Sequence, residues 1–264
     1  PENLITIADY NENQKSAAIY GNTVVWQDDF EGDWDIWAVD MASSESPAAY
    51  IVTPFEGDQT EPAIYENSIV WQDGNSTDLD VYLSDVNDTV NPQHFLIGAY
   101  DANQHSPVVY GSTVLWSDNF WGDTDIYAGD ISEPARPYEY GITFEVSEQK
   151  NPDIDGHIVV WQDNRYGDWD IFGYNLTNNR EFIITDNSYD QKNPAISGNT
   201  VVWQDNRNGA WNIYAVVLNG PEVGFCVSGI EGDINGDCEV DFEDFVIVSE
   251  NWLDCNFDSS ENCF

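Results

Sequence analysis

The chain has 264 residues, enough for one sizeable domain with a small appendage, and 14% of them are aromatic, which excludes a disordered chain. Seven basic residues face 49 acidic ones, a formal charge of -42, so nucleic acid and anionic membrane surfaces are repelled and neither is expected as a partner. No stretch approaches the roughly 18 consecutive apolar residues of a membrane-spanning helix, so no membrane insertion is expected. The acidity itself reads either as a heavily solvated surface suited to salt or calcium-rich water, or as a surface loaded with calcium.

The sequence opens at Pro1 with no Met and no apolar leader core, the expectation for a mature secreted chain, extracellular or at a cell surface. The first β signal, "NLITIAD", has the composition of an outer strand with no preceding partner. Then "VVWQDDFEGDWDIW" begins a pattern that returns as "IVWQDGNSTDLDVY", "VLWSDNFWGDTDIY", "VVWQDNRYGDWDIF" and "VVWQDNRNGAWNIY". Its leading tryptophans are Trp26, Trp71, Trp116, Trp161 and Trp203, spaced by 45, 45, 45 and 42 residues. Self-similarity at that period, with four short strand signals per repeat, predicts propeller blades. In the fourth repeat these signals are "NPDIDG", "HIVVWQD", "DWDIFGYN" and "EFIIT". Consecutive apolar residues such as "VVW" fit a sheet packed on both faces, and the tryptophans are expected to wedge between blades.

The fifth repeat stops after "WNIYAVVL", so the N-terminal strand is expected to complete the last blade and close a five-bladed ring, removing an open edge. Through the frame "P-x-I-x-G…V-V-W-x-D…W-D-I-Y", residues 1–218 resemble the TolB-like propeller repeats. The resemblance implies the fold and a liking for protein partners; the family's namesake has six blades, so five is a departure.

Within the repeat, Asp28, Asp73, Asp118, Asp163 and Asp205 stand two residues after each Trp, where an Asx turn is the usual role. The pairs Asp33 with Asp35 and Asp168 with Asp170 either cap loop amides or hold a cation; blade five has Ala210 and Asn212 instead. Gln14, Gln59, Gln104, Gln149 and Gln191 keep step with the Trp series at the start of the innermost strands, beside Lys15, Thr60, His105, Lys150 and Lys192. This level either rings the channel mouth as an anion or sugar site, or bonds backbone between blades. The sequons at Asn75, Asn87 and Asn175 are candidate glycan acceptors.

Residues 219–264 form a second unit. All four cysteines, Cys226, Cys238, Cys255 and Cys263, lie there, which favours two disulfides of undetermined pairing in an oxidising compartment. "DINGDCEVDFEDF" places Asp233, Asn235, Asp237, Asp241 and Asp244 at loop positions 1, 3, 5, 9 and 12, with the Glu239 carbonyl at 7, a spacing of hard oxygens that wraps calcium. Phe242, Phe245, Val246, Ser249, Trp252 and Leu253 follow at helical spacing. Asp at position 12 and a helix only after the loop resemble a single dockerin type I repeat at about 229–264, which implies calcium and a docking role. Cys238 stands where Gly is usual, Phe242 and Glu243 replace the small hydroxyl pair, and a second loop from Asp254 is incomplete, so packing on its own propeller or a neighbouring copy is an equal expectation.

The fold expected is all-β, a five-bladed β-propeller with a small dockerin-like loop and helix. The function expected is a non-catalytic interaction or assembly subunit binding a protein partner or copies of itself. A five-bladed lectin binding glycan is the alternative. A glycan-processing enzyme ranks below both, since Asp153, Asp155 and Glu61 are the only inner-strand carboxylates and no motif sets a partner opposite Asp153.

Overall fold

The computed structural model describes residues 5–219, apart from 10, 31, 43–47, 76–77 and 99–101. The calcium loop, the four cysteines and the helix expected beyond Phe242 lie outside the described residues. Every regular element among the described residues is a strand. Blade one is β1 (Gln14–Tyr20), β2 (Thr23–Asp28), β3 (Asp35–Asp40) and β4 (Tyr50–Ile51). Blade two is β5 (Gln59–Tyr65), β6 (Ser68–Asn75), β7 (Asp78–Asp85) and β8 (Gln93–Gly98). Blade three is β9 (Gln104–Tyr110), β10 (Thr113–Asp118), β11 (Asp125–Asp130) and β12 (Tyr138–Gly141). Blade four is β13 (Gln149–Asp155), β14 (Ile158–Asp163), β15 (Asp170–Asn175) and β16 (Arg180–Ile183). Blade five has three strands, β17 (Gln191–Ser197), β18 (Thr200–Asp205) and β19 (Asn212–Val217).

Each blade is an antiparallel meander in sequence order, so the first strand of every repeat is innermost and the fourth outermost. The tight turn between first and second strands needs a left-handed residue; Gly21, Gly111, Gly156 and Gly198 supply it at φ 57 to 63°, and Glu66 takes the position in blade two. The tryptophan of each later blade is buried with the aliphatic face of the blade before it. Trp71 packs with Val25 and Ile36, Trp116 with Val70 and Val81, Trp161 with Leu115 and Ile126, and Trp203 with Val160 and Ile171. Wedging between blades, expected from the indole's large apolar area, is thus how four interfaces are built.

The fifth interface differs from the expectation. Residues 5–9 form no strand and none of them pairs with β19; Ile7 and Ala8 line a shallow depression together with Val24 and Trp26 of blade one. The inner strands touch in the series β1 to β5, β9, β13 and β17, with no comparable contact from β17 back to β1. Ile213 is 73% and Ile19 66% exposed, whereas their counterparts Ile171 and Ile154 are 0% and 6%. The N-terminal strand therefore does not close the ring among the described residues. A physical reason lies in what holds a fourth strand: in blades one, three and four a threonine six residues before the next inner-strand glutamine (Thr53, Thr143, Thr185) accepts a backbone N–H of the third strand at 2.8 Å, while blade two has Gly98 there and holds β8 by five register pairs with β7. Ala8 occupies that position before Gln14 and offers no acceptor.

Candidate functional site

The inner strands converge on a depression of about 500 Å³, lined by Ser16, Glu61, Ser106, Asn151 and Asn193 with the Ala or Pro after each. These five hold the same left-handed backbone, φ 52 to 54°, at the point where pairing of the first with the second strand shifts register. A bulge re-aims its side chain away from the ladder, and left-handed φ in a non-glycine residue costs about 1–3 kcal/mol, so surrounding bonds must hold it. Those bonds come from the glutamine of the "WQD" triplet on the preceding blade. Gln27 Oε1 accepts the N–H of Glu61 at 3.1 Å, Gln72 Oε1 that of Ser106 at 3.4 Å, and Gln162 Oε1 that of Asn193 at 2.9 Å. Proline after four of the bulges removes an N–H that the broken ladder leaves unused.

Side chains at the mouth bond to one another. Ser106 Oγ donates to Glu61 Oε2 at 3.3 Å, and Asn151 Nδ2 donates to Asn193 Oδ1 at 2.7 Å. Asp153 reaches the same depression, but its Oδ2 accepts the N–H of Ile196 at 2.8 Å and burial pushes its carboxyl upward. Asp155 Oδ2 likewise takes the N–H of Gly198 at 2.9 Å. Both carboxylates tie blade four to blade five.

The glutamine series lies one step behind the mouth. Gln59, Gln104, Gln149 and Gln191 are fully buried and donate from Nε2 to residues two positions back, Gly57 O, Ala102 O, Ser147 Oγ and Tyr189 O; Gln14 is half-buried and donates to Glu12 O. The basic residues beside them have local partners. Lys15 lies over the Trp34 ring at 4.2 Å, Lys192 pairs with Asp190 at 2.8 Å between the rings of Trp169 and Trp211, and Lys150 pairs with Glu148. His105 is half-buried, and burial first of all pushes its pKa down.

Four of the five aspartates after tryptophan share a pair of bonds; Asp73 keeps only the one from Trp71 Nε1–H, and Asp163 and Asp205 also pair with Arg165 and Arg207. Asp28 Oδ2 accepts Trp26 Nε1–H at 3.1 Å and its Oδ1 the N–H of Phe30 at 3.0 Å, and Asp118, Asp163 and Asp205 repeat this. The second acidic pair caps the chain between blades: Asp33 Oδ2 takes Gly57 N–H at 2.9 Å and Asp168 Oδ2 takes Tyr189 N–H at 2.7 Å. Among the described residues no group of three His, Cys, Asp or Glu stands close enough to hold a metal ion. Of the sequons, Asn87 is exposed and bonded to Asp85 and Asn67, while Asn175 is 1% exposed and accepts the N–H of Thr177. The "WQD" glutamines escaped the sequence reading, although the one departure from them, "WSD" at Ser117, is visible by eye.

No protein-family model matches the chain, and no curated protein sequence does. Solved structures do. TolB from Acinetobacter baumannii is similar at 16% identity and TM-score 0.58 over 80% of this chain and 53% of that one. A putative TolB from Agrobacterium tumefaciens gives 16% and 0.59 over 80% and 79%. A puromycin hydrolase gives 9% and 0.61 over 78% of this chain and 36% of that one. The chain thus spans about half of one TolB and about four fifths of the other. At these identities the likeness establishes a TolB-like β-propeller fold.

Proposed function

We propose that the chain is a non-catalytic, secreted propeller subunit that binds a protein partner or copies of itself, with calcium bound by Asp233, Asn235, Asp237, Glu239, Asp241 and Asp244 controlling attachment. The observation that carries the reading is the contrast at the channel mouth between repeated backbone and unrepeated chemistry. Five identical bulges present Ser, Glu, Ser, Asn and Asn. A repeated sugar site would repeat its side chains; an asymmetric rim on a rigid frame suits an asymmetric macromolecular partner. The two carboxylates nearest the centre, Glu61 and Asp153, are engaged by Ser106 and by the backbone of Ile196, which fits a binding role better than acid and base chemistry.

The second reading, a lectin, draws support from Tyr20, Tyr65 and Tyr110. They follow one another at the other end of the inner strands, with centroids 4.6 and 4.5 Å apart and rings tilted by 48° and 43°, an aromatic edge that a sugar can meet. Calorimetry and light scattering of the native protein and Asp233→Ala, each with and without chelator, test the first reading. Calcium uptake with a change of particle size in the native protein alone is expected. Absence of calcium binding, or a particle size indifferent to chelator, overturns the attachment mechanism, and reproducible glycan cleavage in a polysaccharide screen overturns the non-catalytic assignment.

A further inference from the structure

One glutamine latch is missing. Where blades one, two and four have Gln27, Gln72 and Gln162, blade three has Ser117, paired across the ladder with His105. Ser117 is 2% exposed and its Oγ has no hydrogen-bond partner. A cavity of about 250 Å³ remains there, lined also by Glu61, His105, Ser106, Thr124, Lys150 and Asn151. Asn151 N–H, the bulge donor of blade four, therefore lacks the carboxamide oxygen that Glu61, Ser106 and Asn193 receive. In blade two the same amide also donates, from Gln72 Nε2 to Thr60 Oγ1 at 2.9 Å, and His105 stands in the place of Thr60.

We propose that this cavity binds a carboxamide group of a ligand, its oxygen accepting from Asn151 N–H and its N–H donating toward His105, in the position that glutamine fills in other blades. An anion is disfavoured because the Glu61 carboxylate lines the cavity with His105 and the Lys150 that also lines it is already paired with Glu148. An amide oxygen placed on Asn151 N–H supplies the acceptor that the other bulge donors have, and so gains affinity without new apolar area. Two sources share this chemistry: the acetamido group of an amino sugar, and a glutamine or asparagine side chain of a peptide.

The test follows the His105 imidazole resonances during titration with propionamide, N-acetylglucosamine and a glutamine tripeptide, with propionate and glucose as controls. Saturable shifts are expected with propionamide and with whichever larger probe carries the natural source, and none with propionate or glucose. Ser117→Gln should abolish binding at least tenfold while keeping or raising Tm, since the protein then supplies its own amide. Ser117→Ala keeps the cavity and should retain binding within a few-fold. Equal response to propionate, no response to any amide, or loss of amide binding in Ser117→Ala with binding kept in Ser117→Gln overturns the proposal.

Discussion

Blades four and five share the run "VVWQDNR", yet the same residues meet opposite fates. Val160 and Gln162 of blade four are 0% and 6% exposed, because β17 covers their face and Asn193 reaches Gln162; Val202 is 37% exposed, and Gln204 is exposed with no bulge donor in front of it among the described residues. The teaching is that a blade's sequence specifies half of each interface. The other half comes from the next repeat, and burial of an apolar strand face depends on a neighbour arriving.

The largest test of that contrast is aliphatic truncation on equivalent positions. Ile154→Ala, inside the interface of blades three and four, should cost about 2–5 kcal/mol in denaturant unfolding. Ile19→Ala, its counterpart on the uncovered face of blade one, should cost well under 1 kcal/mol, since a methyl exposed in both states contributes little. Equal losses would mean that blades five and one meet in solution.

A pH comparison sharpens the point. Asp170 is pushed up to about 7, first by burial and then by Asp168, Asp186 and Asp163, with the Thr185 hydroxyl opposing; Asp125 is pushed to about 6 by burial, with Asp123, Asp118 and Asp163 adding to it. Because the folded-state values exceed the unfolded one, these carboxyls stabilise the fold fully below about pH 4, and that contribution is lost as pH rises through about 6 to 7. Asp170→Asn should therefore gain stability relative to native as pH rises over this window. Blade five already has Asn212 there, on an exposed strand, so Asn212→Asp should show no such pH-dependent difference. A matching pH dependence in both would again mean a covered fifth face.

Much of this architecture is written in single residues. Trp spacing yields the blade count and "VVW" the two-sided burial, because both are local patterns with one structural outcome. The Asx turns at Asp28 and its counterparts follow from residue type alone. Ring closure was less legible: "NLITIAD" has the apolar content of an outer strand, but Ala8 lacks the hydroxyl that ties down the fourth strand in blades one, three and four, and that bond becomes recognisable only once Thr53, Thr143 and Thr185 are seen making it. The channel-mouth residues were hidden for a similar reason. A left-handed bulge has no fixed side chain, so Ser16, Glu61, Ser106, Asn151 and Asn193 share a backbone but no one residue type.

The smallest effect concerns the latch itself. Gln162→Ala removes the acceptor for Asn193 N–H and a partner of Asn151 Nδ2, and leaves a half-buried donor unserved next to a strained backbone. A loss of about 1–2 kcal/mol is expected, together with faster amide exchange at Asn193. Gln204→Ala on blade five deletes the same side chain where nothing receives it, and stability should not change measurably. If ring closure with blade one engages Gln204, its truncation will match that of Gln162 and will also accelerate exchange at Ser16, the bulge residue that the pattern of the other blades sets opposite it. Loss at Gln204 without a change at Ser16 would place the contact on a partner and not on blade one, which separates an assembly surface from a closed ring in one measurement.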